Sequence, residues 1–242
     1  MIGAHVEAEI GEGKRIDWVA PSLEPLVGML ARLMKGWPIE VILDELKGRA
    51  LNVVDVGACV GSWGIIMAMN YPSINMTCIE ANKSTYDCLV HNAKGMSNVQ
   101  TINAAVDNKH GTIKLSLPNL KDWNTEHKPI ELYKNYGLMT AYGSGRYEIE
   151  VECHPLDDLV DKVDFLKIDI EGMEMRLLEG AQRIMTEECP IIQIEMSERN
   201  QVRAGHTTKE LDAYIRDFGY AQLRGSGEAD NIYFPRKGRS FA

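Results

Sequence analysis

Several features that define common classes of protein are missing from this sequence. Cysteine is scarce, with five residues among 242 and none in the C-x-x-C spacing of zinc or redox sites. No stretch approaches the roughly 18 apolar residues of a membrane-spanning helix, and the first residues lack the basic and apolar regions of a signal peptide. We therefore expect a cytoplasmic protein with no membrane partner. We expect reduced core thiols at Cys59, Cys78, Cys88, Cys153 and Cys189.

Positive charge is also in short supply. The chain has 26 Lys and Arg against 35 Asp and Glu, for a formal net charge of −9. Nucleic-acid binding depends on Lys and Arg side chains that neutralise phosphates, so this balance argues against a nucleic-acid partner. With 45% apolar residues, a chain of this length buries roughly three quarters of its unfolded surface without disulfides or metals. The sequence gives no indication of the oligomeric state.

What the sequence does contain, from residue 51 onwards, is short apolar runs that alternate with helix-like windows. The runs are Leu51–Val56, Ile74–Ile79, Val99–Asn103, Phe165–Ile170 and Ile191–Ile194. This alternation is typical of a parallel sheet covered by helices on both faces, so we predict a doubly wound α/β fold. Two final runs, Tyr220–Leu223 and Ile232–Phe234, have no helix between them and predict an antiparallel hairpin at the sheet edge.

Two regions depart from this rhythm. Residues 1–50 read as a polar arm followed by helices with an apolar stripe, and we expect them to pack on the domain formed by residues 51–242. Residues 118–150 show no sustained period, which in a compact domain is more typical of a functional loop than of a connector. We interpret this segment as a substrate lid, with a simple cover for a sheet edge as the alternative. Its aromatic residues are Trp123, Tyr133, Tyr136, Tyr142 and Tyr147.

The first predicted strand of the sheet leads directly into a glycine-rich turn. Asp55, Gly57 and Gly61 follow one another at short spacing, and glycines allow the backbone to turn tightly or to approach a ligand. About 20 residues further on, Glu80 ends the next strand, at the separation typical of a carboxylate that binds ribose hydroxyls. These features predict a nucleoside site. Cys59 stands where a dinucleotide-binding turn has its second glycine, and a nicotinamide-dependent oxidoreductase is therefore the less favoured alternative.

An acidic cluster follows a later strand. Asp169 and Glu171 lie at the end of one apolar run and Glu195 at the end of the next. The carboxyl ends of parallel strands meet at the edge where open α/β sheets hold ligands. Carboxylates brought together there repel one another unless they share a proton, a cation or a metal. Glu171 and Glu174 have a second interpretation, as acidic residues that stabilise the positive end of the following helix.

Taken together, these motifs resemble those of FkbM-type methyltransferases. The resemblance rests on Asp55-Val-Gly-Ala-Cys-Val-Gly61, Glu80-Ala-Asn82 and Lys167-Ile-Asp-Ile-Glu-Gly-Met-Glu174, and it covers about residues 51–195. It implies a class I methyltransferase, with a Rossmann-like, mostly parallel seven-stranded sheet, that uses S-adenosylmethionine. It also implies donor-binding roles for Asp55, Gly57, Ala58, Gly61, Glu80, Ala81, Asn103, Ala104, Ala105 and Asp169.

Methyl transfer from a sulfonium to a hydroxyl is an in-line displacement in which the acceptor loses a proton to a base. The resemblance therefore implies O-methylation of a small hydroxylated acceptor, a sugar or a secondary metabolite. Asp169, Glu195 and His206 are the candidate catalytic residues. Asp169 and Glu195 also offer oxygen ligands for Mg²⁺, but two ligands are too few to favour a metal site. A donor-binding partner protein without catalysis is a second alternative.

Overall fold

The computed structural model describes residues 4–10, 14–20, 51–116, 139–143, 148–223 and 230–236. The helices expected between residues 21 and 50, and most of the lid segment at 118–150, lie outside the described residues. The strands are β1 (Ala4–Ile10), β2 (Lys14–Ala20), β3 (Leu51–Val56), β4 (Ile74–Ile79), β5 (Val99–Ile102), β6 (Ala105–Val106), β7 (Gly111–Ser116), β8 (Glu148–His154), β9 (Phe165–Ile168), β10 (Ile191–Glu195), β11 (Tyr220–Gln222) and β12 (Asp230–Pro235). The helices are α1 (Ser62–Asn70), α2 (Lys83–Asn92), α3 (Leu156–Leu159), α4 (Glu174–Glu179), α5 (Glu198–Ala204) and α6 (Thr208–Asp217), with a π-helical turn at Ile184–Glu188.

The main sheet has seven strands in the order β11-β12-β10-β9-β3-β4-β5. Strands β5, β4, β3, β9 and β10 run parallel, and β12 is antiparallel to both β10 and β11. This confirms the predicted doubly wound fold and its antiparallel edge hairpin. Because the chain leaves β3 in one direction and returns at β9 on the other side, the carboxyl ends of these two strands flank the crevice where such sheets bind ligands.

The core lies on both faces of this sheet, which explains the continuous apolar runs of its strands. In β3, Val53 packs into one buried cluster with Trp63 of α1, whereas Val54 packs into another with Leu177 of α4. Both valines are almost completely buried. Successive side chains of a strand point to opposite faces, so a strand covered on both faces reads as uniformly apolar rather than alternating.

A second, three-stranded sheet was not predicted. Its order is β6-β8-β7, with β6 parallel and β7 antiparallel to β8. Strand β8 begins at Glu148, so the predicted boundary of the lid segment at residue 150 is wrong by three residues. Ile149 and Val151 alternate with glutamates and pack towards Leu115. This period of two was the signal in the sequence for a strand with one buried face.

The amino-terminal arm is an antiparallel hairpin, where we predicted a polar arm without assigning strands to it. Strands β1 and β2 pair from Ala4 opposite Ala20 to Ile10 opposite Lys14. The alternation of apolar and charged residues in both segments is typical of strands. Trp18 and Val19 of β2 are buried and belong to the core cluster that contains α1 and α2. The hairpin thus packs on the domain formed by the rest of the chain.

The five cysteines are free thiols, as predicted, but they do not all lie in the core. Cys78, Cys88 and Cys153 are buried, whereas Cys59 and Cys189 are only partly buried. The last two residues also have left-handed backbone conformations, with φ of 54° and 47°. The prediction of core positions is therefore wrong for these two thiols, because both lie in turns.

Among the described residues, no helix combines the length and the apolar character needed to cross a bilayer.

Candidate functional site

A cavity opens at the carboxyl end of the main sheet, where β3, β4 and β9 end. Its empty space, which is continuous with solvent, amounts to about 560 Å³. Polar residues form part of its wall and aliphatic residues and methionines form the rest. The polar residues are Glu80, Asn82, Asp169 and Glu171, and the apolar ones include Ala81, Ala104, Ala105, Leu115, Met139, Ile170 and Met173.

The glycine turn after β3 is shaped mainly by the protein itself. Gly57 has φ of 81°, and a Cβ atom at this position would lie 1.9 Å from the carbonyl oxygen of Asp169. Gly61 has φ of 88°, and a Cβ there would lie 2.7 Å from the Leu89 side chain. Gly57 lines the cavity, whereas Ala58 and Gly61 do not. The structure shows that Gly61 helps to build the turn, and the donor-binding roles of Ala58 and Gly61 stay predictions.

Glu80 is a buried carboxylate whose position is fixed by several hydrogen bonds. Its Oε2 accepts from the backbone N–H of Cys59 at 2.8 Å. Its Oε1 accepts from the N–H of Asn82 and from the hydroxyl of Thr85, both at 2.8 Å. Burial raises the pKa of Glu80, and these donors oppose the rise. Since a carboxylate has about four acceptor sites, one remains for a ligand hydroxyl in the cavity.

Asn103 supports this wall without forming part of it. Its Nδ2 donates to the carbonyl oxygens of Glu80 and Ala81, at 2.9 and 3.1 Å. Asn103 does not line the cavity, while Ala81, Ala104 and Ala105 do. Asn103 thus supports the backbone after β4, and its donor-binding role stays a prediction. The three alanines leave room beside Glu80 because their side chains are small.

A buried lysine that we did not predict joins the two halves of the site. Lys167 lies directly opposite Asp55 in the β3–β9 register, and its Nζ donates to Asp55 Oδ1 at 3.0 Å and to Asp169 Oδ2 at 3.4 Å. Asp55 is completely buried and does not line the cavity. Burial raises the pKa of Asp55, and the Lys167 ammonium opposes this rise. Asp55 is thus an anchor for Lys167, and its donor-binding role stays a prediction.

Three carboxylates lie on the opposite side of the cavity, two of them in its wall and one behind it. Asp169, Glu171 and Glu195 each place an oxygen within 4.8 Å of the others. Asp169 and Glu171 line the cavity, whereas Glu195 does not. The Nδ2 of Asn200 donates to Glu171 Oε2 at 2.8 Å and to Glu195 Oε2 at 3.3 Å. The predicted acidic cluster therefore forms, but only two of its members face the cavity.

The electrostatics of this cluster explain how it is tolerated. Burial first, and then the neighbouring charges of Glu195 and Asp169, raise the pKa of Glu171 to about 8. Glu171 therefore holds a proton at neutral pH, which relieves the repulsion expected of these carboxylates. Three oxygens at this spacing provide one more ligand for Mg²⁺ than the sequence indicated. The three residues are partly buried, and the cluster by itself does not favour a metal.

His206 lies at the outer end of a chain of polar contacts and does not line the cavity. Its Nε2 forms a hydrogen bond with Gln201 Oε1, and Gln201 Nε2 donates to Glu174 Oε2 at 2.6 Å. Glu174 Oε1 accepts from the N–H groups of Ile170 and Gly172. The structure places His206 outside the cavity wall, in contact with Gln201, and its catalytic role stays a prediction. Glu174 stabilises the start of α4, in agreement with its second interpretation, and no sequence motif indicated Asn200 or Gln201.

The arrangement defines a class of protein. A doubly wound sheet with an antiparallel edge hairpin, and a cavity at its carboxyl edge bordered by Glu80, is the architecture of class I methyltransferases. Residues 55–221 match the family described as the methyltransferase FkbM domain. The chain belongs to this family, and it is a methyltransferase. The family assignment disfavours the nicotinamide-dependent oxidoreductase considered above.

Two relatives illustrate the similarity. Methyltransferase sdnD of Sordaria araneosa is 26% identical over 203 residues, which cover 73% of this chain and 76% of that protein. The crystal structure of methyltransferase FkbM from Methylobacillus flagellatus superposes with a TM-score of 0.51 at 17% identity. That match covers 76% of this chain and 43% of the other, so this chain spans less than half the length of that protein. At this identity the second likeness concerns the fold alone.

Proposed function

We propose that this methyltransferase uses S-adenosylmethionine and transfers its methyl group to a hydroxyl oxygen of a small molecule, a sugar or a secondary metabolite. The observation that carries the proposal is that a single cavity has a fixed carboxylate, Glu80, on one wall and the carboxyl groups of Asp169 and Glu171 on the other. The first wall suits the ribose of a donor. The second suits the hydroxyl of an acceptor.

The residues of the cavity fit the donor. Glu80 retains an acceptor site for a ribose hydroxyl, as its hydrogen bonds indicate. Ala81, Ala104 and Ile170 provide a small and apolar surface for the flat adenine ring. When bound, S-adenosylmethionine supplies an electrophilic methyl group on a cationic sulfonium, and Asp169 offers negative charge in the same cavity.

On the acceptor side, Asp169 is our candidate for the group that accepts the hydroxyl proton. It lines the cavity, and Lys167 Nζ, 3.4 Å from its Oδ2, holds its orientation. Glu171 carries a proton at neutral pH and donates a hydrogen bond to the acceptor. Proton transfer to a positioned base contributes typically 10²–10⁴-fold, and correct orientation of the reactants supplies on the order of 7–11 kcal/mol. Glu195, behind the wall, supports this pair through Asn200.

Calorimetric titration of the wild-type protein with S-adenosylmethionine, S-adenosylhomocysteine and NADH tests the donor. We expect binding of the first two compounds only.

Transfer of a labelled methyl group to matched acceptors that carry either a hydroxyl or an amine then tests the acceptor. We expect Asp169→Asn to lower kcat by about 10²-fold or more, with Glu152→Gln, whose side chain is exposed, as the control. NADH binding, or methyl transfer to nitrogen alone, contradicts the proposal.

A further inference from the structure

One buried amide connects the amino-terminal hairpin to the turn that borders the cavity. Asn92, at the end of α2, is only 6% exposed. Its Oδ1 accepts from the N–H of Val19 at 2.8 Å, and its Nδ2 donates to the carbonyl of Val19 at 3.0 Å. The same Nδ2 donates to the carbonyl of Val60 at 2.9 Å. Val19 belongs to β2 and Val60 to the turn after β3, so Asn92 bridges these two segments.

Apolar packing surrounds this amide and holds the three segments together. Trp18, Val19, Val60 and Leu89 belong to the same buried cluster, and Trp18 is completely buried. On the side of α2, the space next to Gly61 is so limited that a Cβ there would lie 2.7 Å from Leu89. The turn is therefore fixed by α2 from one side, and the hairpin covers this contact.

The bridged turn also supplies a hydrogen-bond donor to the cavity. Cys59, the residue before Val60, donates its backbone N–H to Glu80 Oε2 at 2.8 Å. Cys59 itself lines the cavity. The Cys59 N–H and the Val60 carbonyl belong to two peptide units that are separated only by the planar Cys59–Val60 unit, so a shift of the Val60 carbonyl changes the few backbone dihedral angles that position the Cys59 N–H beside Glu80.

We propose that Asn92 is a positioning residue through which the amino-terminal hairpin sets the geometry of the cavity turn, and thereby the affinity for the methyl donor. This inference rests on the proposed function, since the affected ligand is S-adenosylmethionine. Asn92 acts through Val60, Cys59 and Glu80 and touches no ligand. The hairpin is then a component of the donor site, although it lies outside the residues that match the family.

The chain offers a matched control for Asn92. Asn98 also uses its Nδ2 to donate to two backbone carbonyls, those of Ala68 and Ile74, both at 3.1 Å. These carbonyls belong to α1 and β4 and not to the cavity turn. Asn92→Asp and Asn98→Asp each replace an amide donor by a carboxylate facing two carbonyls. Both substitutions destabilise the fold, and only the first disturbs the turn.

The test is the binding of S-adenosylhomocysteine, measured by calorimetry on the whole chain. We expect Asn92→Asp to raise its Kd about tenfold or more, which corresponds to the loss of one or two hydrogen bonds, and Asn98→Asp to leave it within about twofold. In turnover assays, Asn92→Asp raises the KM for the donor much more than it lowers kcat. Equal effects of the two substitutions, or none, overturn the inference. A wild-type chain that does not bind the compound overturns the proposed function and this inference together.

Hydrogen exchange of the ligand-free protein provides a second measurement that does not depend on turnover. The milder pair Asn92→Ala and Asn98→Ala serves here in case the charged variants fold poorly. We expect faster exchange of the amides in the turn, including that of Gly61, which donates to Ala58, in Asn92→Ala alone. Unchanged exchange in the turn of Asn92→Ala overturns the proposed coupling, whatever the outcome of the binding experiment.

Discussion

On the β4 side of the cavity, Glu80 accepts hydrogen bonds from two backbone N–H groups and one hydroxyl. On the β9 side, Glu171 accepts from Asn200 and lies beside Glu195 and Asp169. Burial raises the pKa of both glutamates, but the next contributions differ, since donors lower it at Glu80 and like charges raise it further at Glu171. The same type of side chain is therefore a fixed acceptor on one wall and a proton carrier on the other.

The largest effect is expected where the two walls meet. Gly57→Ala places a Cβ 1.9 Å from the Asp169 carbonyl oxygen and adds the strain of a left-handed conformation. We expect a loss of more than about 4 kcal/mol in the free energy of unfolding, or no folded protein. The control is Gly95→Ala, which has φ of 85° but no atom within 4 Å and should lose only about 1–2 kcal/mol. Equal losses in urea denaturation would mean that the two walls do not depend on this contact.

Lys167→Met removes the ammonium group that donates hydrogen bonds to Asp55 on β3 and to Asp169 after β9. Asp55 is then a buried carboxylate without its ammonium partner, and such losses cost about 3–5 kcal/mol. The stability deficit should decrease as the pH falls, because a protonated Asp55 needs no cation. Lys114→Met, at an exposed ion pair, should change stability by less than about 0.5 kcal/mol. A deficit that is the same at about pH 5 and at neutral pH would contradict this explanation.

Glu80→Gln tests the wall of fixed acceptors. The carboxamide places an NH₂ group opposite N–H donors that Glu80 now satisfies. We expect the affinity for S-adenosylhomocysteine to fall about 30-fold, or roughly 2 kcal/mol. The exposed Glu152→Gln is again the control. Calorimetric titration that gives the same Kd for both variants would remove Glu80 from the donor site.

Glu171→Gln tests the wall that carries a proton, through the pH dependence of stability. The pKa of Glu171 is about 8 in the folded protein, whereas the ordinary value of a glutamate, which applies to the unfolded chain, is 4.5. Its contribution to stability is thus fully present below about pH 4.5 and is lost as the pH rises through about 8. We expect wild type to lose up to about 4 kcal/mol from this group between about pH 5 and pH 9, which is the free energy that corresponds to this difference in pKa. Glu171→Gln should remove that loss in urea denaturation, and parallel pH profiles of the two proteins would contradict the assignment.

The features of the site that could be predicted are those encoded by local spacing. The positions of Gly57, Glu80 and Asp169 at strand ends follow from the apolar runs that precede them, and parallel strands bring their ends to one edge. The fold itself follows from the same runs. Whether Glu195 and His206 line the cavity could not be predicted, because a place after a strand does not determine the direction of a side chain, and neither residue lines it.

The missed residues depend on packing between distant elements. Lys167 sits within an apolar run, and its partner Asp55 could be identified only through the pairing of β3 with β9. Asn92 and Asn200 act through carbonyls and carboxylates of other elements, for which the sequence has no motif. The hairpin at residues 4–20, by contrast, did carry an alternating pattern, and its charged residues led us to interpret it as a polar arm.

The ion pair between Asp55 and Lys167 also has a consequence for folding. Its partners are 112 residues apart in the chain, although their strands are immediate neighbours in the sheet. Loop closure over such a separation is entropically costly, and topologies rich in distant pairings fold slowly. The ligand cavity therefore depends on a long-range pairing: its walls include Glu80 after β4 and Asp169 after β9, and they face each other only when β9 is docked beside β3.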